Sequence, residues 1–179
     1  VKATWRPPFS TSCRSINWLA TVNKRSAWYR LGSAFVLAGE SHCAVKTYIA
    51  DTGGVVVGEE FVPVGVDSHE AHLARIRAAK PDVVLISLIG TDSITFNRAF
   101  GECGLAATTL RLAGAMDVTV LLGIGADNTE KLFCASGYFS CLGSRANDEF
   151  RSQYQSMFGT NAPPLSASPI TRACGFWKP

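Results

Sequence analysis

The sequence has no apolar run approaching the ~20 residues that a membrane-spanning helix needs. Its six cysteines include no C-x-x-C pair, which removes the usual zinc knuckle and the dithiol redox motif. Neither sign of charge dominates. Lys and Arg number 17 against 14 Asp and Glu, a formal net charge of +3, and no basic stripe stands out, so nucleic acid is not an expected partner. There are three histidines. Of these, His69 and His72 are spaced i, i+3, but no carboxylate or cysteine completes a metal set around them. The expected role of the pair is a solvated helix face, and no metal is assigned. A G-x-G-x-x-G fingerprint is also missing. "GIGADNTE" has the wrong spacing and follows a late strand, so no nucleotide cofactor is expected. The opening "VKATWRPPFSTSCRS" holds no apolar core of the leader type, which carries no weight for a chain expected to be a piece of a longer one.

What is present is a core. The chain has 179 residues, 47% hydrophobic and 17% charged, the composition of a folded globular domain. The stretch "GGVVVGEEFVPVGVDSHEAHLARIRAAKPDVVLIS", Gly53 to Ser87, shows how it is built. Two Val-rich runs flank a segment whose Ala71, Leu73, Ile76 and Ala79 repeat at roughly helical spacing, with Ser68 as its cap and Pro81 as its stop. "DVVLISLIG" is a continuous apolar run of strand length, which suits a strand buried on both faces of a parallel sheet. Before this unit, "AWYRLGS" (Ala27–Ser33) reads as a strand and Glu40–Asp51 as a helix stopped by Gly53-Gly54. After it, Asp92 can cap a helix that runs to Cys103. "VTVLLGIG" and "LFCASGYF" read as two more strands, and Ser144–Phe158 as a last helix ended by Gly159. Cys103, Cys134 and Cys141 lie in or beside apolar segments and read as free buried thiols.

The predicted order is β-α-β-α-β-α-β-β-α, an α/β fold with an open, mostly parallel sheet flanked by helices. Residues 1–15 and 161–179 read as irregular, the latter Pro-rich, leaving 16–160 as the folded unit. In such sheets ligands bind beyond the carboxyl ends of the strands. That rule selects Ser33, Phe35 and Leu37 after the first strand, and Thr91 and Asp92 after the third. It selects Gly125 after the fourth and Tyr138 after the fifth. Hydroxyls, aromatic rings and helix N-termini suit a small polar ligand held by hydrogen bonds and stacking. Asp92 has a competing reading as a helix cap alone. No nucleophile–base–orienter set is visible, so the chain is not expected to be an enzyme.

The ordered series "WYRLGSAFVLAGES", "YIADTGGVVVGEEFVPVG", "ARIRAAKPDVVLISLIGTDSITFNRAFGECGL" and "ADNTEKLFCASGYFSCLGSRANDEFRSQYQSMFGTNAPPLSA" resembles the type I periplasmic substrate-binding proteins of ABC transporters. It looks most like the branch for urea, short-chain amides or branched-chain amino acids, to which amide-sensing regulators of amidase expression are related. The resemblance spans roughly Ile16 to Ala167 and covers only the second of the family's two lobes. It implies a lobe of a ligand-binding cleft, a periplasmic location, a transporter permease as partner of the intact protein, and no cofactor. The start and the "SPITRACGFWKP" end depart from the pattern, as a truncated product would. The alternatives are a cytoplasmic amide-sensing regulator, working through a partner protein, and, more distantly, an α/β enzyme.

Overall fold

The computed structural model describes residues 26–33, 45–114, 116–134, 139–141 and 143–159. Strands and helices alternate along these residues: β1 (Ala27–Ser33), α1 (helical over 45–51), β2 (Val55–Val62), α2 (Glu70–Ala79), β3 (Val83–Ser87), α3 (Gly90–Glu102), β4 (Leu110–Ala113), α4 (Val118–Ile124), β5 (Leu132–Cys134) and α5 (Arg145–Phe158). The five strands form one sheet in the order β2-β1-β3-β4-β5, and every pairing is parallel.

With right-handed crossovers this order puts α1 on one face and α2, α3 and α4 on the other. The buried side chains divide accordingly. Tyr29, Leu31, Val84, Ile86 and Ala113 pack with Leu73 and Ile76 of α2, Phe96 and Phe100 of α3, and Val120, Leu121 and Ile124 of α4. Trp28, Val83 and Leu112 point the other way, against Ile49 and Val45 of α1. Alternate residues of one strand thus enter two cores, as the unbroken apolar runs of β1 and β3 require.

The edge strand β2 contains a bulge. Val56 lies opposite Trp28, but Gly58, not Val57, lies opposite Tyr29. Val57 is therefore an extra residue, and the faces are reset behind it. Gly58 must lack a side chain, because a Cβ there would stand 2.3 Å from Cε2 of the Tyr29 ring. Beyond the bulge Glu59 pairs with Arg30, fully buried on β1, at 2.9 Å, and also with Lys46 of α1. Glu60 points to the opposite face. It accepts from the Tyr29 hydroxyl, faces His72 Nδ1, and takes a two-pronged contact from Arg75, both prongs at 2.7 Å.

This cluster makes stability depend on acid. Burial pushes the Glu60 carboxyl up, but bonds from Arg75, Tyr29 and His72 outweigh it and bring the pKa down to about 2 from 4.5. A depressed carboxyl stabilises the fold fully above its unfolded value and loses that contribution as it protonates. The urea midpoint should therefore fall between pH 4.5 and about 2. Glu60→Gln should flatten that part of the profile while lowering the midpoint at neutral pH. A profile unchanged by the substitution would show that the cluster contributes nothing.

Two expectations are corrected. "VTVLLGIG" is not a strand: Val118–Ile124 is the helix α4, started by the Asp117 side chain, which accepts from the Val120 amide at 3.0 Å. The seven residues, mostly apolar, suit either element, and the acidic cap decides. The strand in this part of the chain is instead β4, Leu110–Ala113, with the buried Arg111 inside it. The sheet is regular β-α alternation in consequence, with no adjacent strand pair in sequence. The other expected elements stand within a few residues where they are described; residues 40–44 of the first expected helix and 135–138 of the last expected strand lie outside the described residues. The cap of α5 is Ser144, whose Oγ accepts from the Asn147 amide at 3.3 Å, and Gly159 ends the helix at φ +69°. The irregular ends, residues 1–15 and 161–179, lie outside the described residues. Among the described residues no helix is long and apolar enough to cross a membrane.

Candidate functional site

In this strand order the crossovers leaving β1 and β3 go to opposite faces, which opens a crevice between their carboxyl ends. Gly32 pairs with Ser87, so the residues that follow in the two strands, Ser33 and Leu88, stand side by side at the mouth. Ser33 is buried and also pairs with Val62 of β2. On the β3 side the chain runs through buried Leu88 and exposed Ile89 into Gly90, at φ +57°, and α3 begins there. Thr91 is exposed in the first turn. Among the described residues no side chain caps α3. Its first turn, the positive end of a 13-residue helix, therefore stands at the crevice with amides suited to an acceptor.

Asp92 is 5% exposed and reaches sideways. Its Oδ2 accepts from the Gly65 amide at 2.9 Å. Gly65, at φ +81°, belongs to the loop from β2 to α2. Since β1 lies between β2 and β3, this bond carries the loop across the carboxyl end of β1. A second tie lies one helical turn on, where His69 Nε2 meets Thr95 Oγ1 at 3.1 Å. His69 is 4% exposed, with its ring edge-on to Phe96. The expectation of a solvated pair fails for it: the loop tucks the ring under α3, where burial and neighbouring His72 pull its pKa down despite the opposing pull of Asp92.

The sequence-derived candidates therefore separate. Ser33, Thr91 and Asp92 come together at the carboxyl edge of β1 and β3. Asp92 is occupied there with the loop rather than turned to an open ligand. Gly125 is elsewhere. It follows α4, not a strand, and the chain from it runs through residues 126–131 into the start of β5. That places it at the amino-end edge, because α4 runs antiparallel to the strands, and the premise that selected it does not hold. Phe35, Leu37 and Tyr138 lie outside the described residues. Gly65, His69, Thr95 and Ile89 were not singled out as site residues. The Pro63–Ser68 turn signal before a helix was the available clue to the loop. Among the described residues there is no group of three or more His, Cys, Asp or Glu that could hold a metal. Cys134 is buried and its thiol is pushed up to about 11 by that burial, which makes it a poor nucleophile; Cys103 and Cys141 are half-buried. The crevice brings together the Ser33 and Thr91 hydroxyls and the start of α3, with the apolar Ile89 exposed beside them.

No curated protein matches the chain. Solved structures do match in fold. An amino acid ABC transporter substrate-binding protein from Pseudomonas fluorescens superposes with a TM-score of 0.74 at 18% identity over 84% of this chain and 40% of its own. A solute-binding protein of an ABC transporter from Rhodopseudomonas palustris, in complex with 3,4-dihydroxybenzoic acid, gives 0.69 at 24% identity over 84% and 42%. A branched-chain amino acid ABC transporter periplasmic ligand-binding protein from Burkholderia xenovorans gives 0.68 at 16% over 84% and 39%. The chain spans about two fifths of the length of these structures. The model of the family described as "Periplasmic binding protein" matches residues 4–171, nearly the whole sequence, and the chain belongs to that family.

Proposed function

We propose that this chain supplies one lobe of the solute-binding component of an ABC transporter, working in the periplasm with a membrane permease and catalysing no reaction. The solute is an amino acid, urea or a short-chain amide. The observation that carries the reading is the crevice at the β1/β3 switch, where Ser33, Thr91 and the uncapped start of α3 converge. Carbonyl and carboxylate oxygens of such solutes are acceptors for amide donors at a helix N-terminus.

In a two-lobed cleft, affinity comes from closure, which buries the ligand on all sides. One wall supplies about half the contacts and leaves them hydrated. If the whole cleft gives about 8 kcal/mol, the micromolar scale, half of that is about 4, the millimolar scale. Leucine, urea and acetamide titrated into the labelled chain should be followed by amide shifts. One of the three should move Thr91, Asp92 and Ser93 with a millimolar dissociation constant, and Thr91→Val should weaken it several-fold. Shifts confined to the amino-end edge around Gly125, or none with any of the three, would overturn the reading.

A further inference from the structure

The loop between β2 and α2 is tied to α3 by two hydrogen bonds, one of them made by a buried, titratable ring. Thr95 has one hydroxyl proton. Its Oγ1 lies 3.1 Å from the Thr91 carbonyl and 3.2 Å from that of Asp92, so the proton is given to the helix backbone. His69 Nε2, at 3.1 Å from the same oxygen, must then be the donor. Hydrogen-bond bookkeeping thus assigns the neutral ring as the Nε2–H tautomer. The second ring nitrogen, Nδ1, is buried and has no partner among the described residues.

We propose that the β2–α2 loop is an acid-sensitive latch: neutral His69 holds it against α3, and protonation of the buried Nδ1 releases Gly65 from Asp92. A proton on Nδ1 creates a donor with nothing to receive it, in a place water does not reach. The charged groups facing the ring are few. His72, on α2, lies with its ring centre 6.0 Å away and is itself engaged with Glu60 of β2 and Arg75 of α2. Asp92, on α3, is the anion that favours the charged ring, and its Oδ2 is held by the Gly65 amide. The imidazolium can be satisfied in two ways. Either the loop lifts and admits water, or Asp92 turns toward the ring. Both break the Gly65–Asp92 bond, the tie that carries the loop over the end of β1.

The direction of the pH effect follows. His69 is held below its ordinary 6.5 in the fold, so the latch is fully closed above that pH and opens as the pH falls below it. The inference rests on the latch geometry alone and is independent of the solute-binding reading.

Amide hydrogen exchange on the full chain tests it. Rates are corrected for the intrinsic pH dependence of exchange and compared between Gly65 and Ile86, at the centre of β3. From about pH 7.5 to about pH 5.5, protection at Gly65 should fall by about tenfold relative to Ile86. His69→Gln, which keeps a donor for Thr95 and cannot titrate, should remove that pH dependence. Gly65 protection that follows Ile86 throughout, or an equal fall in the Gln variant, overturns the proposal. Should the variant not fold, the wild-type chain still decides: the Gly65 amide shift must titrate with the midpoint of the His69 ring. A Gly65 shift that follows the midpoint of His72, or stays constant, overturns the proposal equally.

Discussion

Replacing Arg111 by alanine is expected to destabilise the protein by about 3–5 kcal/mol, a large part of the total for a domain of this size. The side chain is fully buried in β4. Its Nη1 donates to Asn97 Oδ1 at 2.9 Å and to the Asn97 carbonyl at 3.1 Å. Nη2 donates to the carbonyls of Asn128 and Glu130, at 2.7 and 2.8 Å. The guanidinium carbon stands 4.8 Å from the centre of the Phe100 ring. Burial lowers the pKa to about 10, so the group remains a cation under any ordinary condition. Its charge is met mainly by carbonyl dipoles, which tie α3, the turn before β5 and the sheet into one body. Alanine would leave the Asn97 acceptors buried without this donor and strip the part-buried carbonyls of Asn128 and Glu130 of theirs. Arg111→Lys should recover less than half of the loss, since one ammonium cannot serve both sides of the fork. The measurement is the urea midpoint at unchanged slope. A shift no larger than that of an exposed substitution would mean that water serves these carbonyls.

Phe96→Ala is expected to cost about 3–5 kcal/mol as well, by leaving a cavity. Phe96 is fully buried on α3. It lies 5.8 Å from Phe100 and 5.4 Å from His69, centre to centre, edge-on to the latter at 84°, in the core shared with Leu73 and Ile76 of α2. Phe96→Leu keeps most of the volume and should cost less than about 1.5 kcal/mol. The alanine variant should also let water reach the His69 ring and return its titration toward the ordinary value. An alanine variant no less stable than the leucine variant would show that the core collapses onto the site and that the ring is replaceable.

The parts legible in the sequence were those where one local signal sufficed. The Val-rich runs of β2 and β3, the Gly stops after α1, α3 and α5, and the Ser144 cap each locate an element without reference to anything distant. β4 was not legible, because Arg111 interrupts a run of only four residues, and the carbonyls that make its burial tolerable come from residues 97, 128 and 130. They converge only once α3 and β5 are in place. α4 was misread because valine and threonine favour strands, and Asp117 was the one residue against that reading. At the site, parallel strands and their carboxyl ends pointed to Ser33 and Thr91. The clamp of Asp92 on Gly65 joins residues 27 positions apart, and His69 is buried against Phe96 and Thr95 of a different element, so no spacing rule could have found either.

The extra residue in β2 has a further consequence. Val56 and Gly58 already pair with consecutive residues of β1, Trp28 and Tyr29, so the strand would close into an uninterrupted ladder if Val57 were absent. Residues 55, 56 and 57 are all valine, so loss of any one of them gives the same shortened chain and the same ladder. For a lineage in which single codons are occasionally lost, this run can give up one valine and still keep both glutamates facing their arginines.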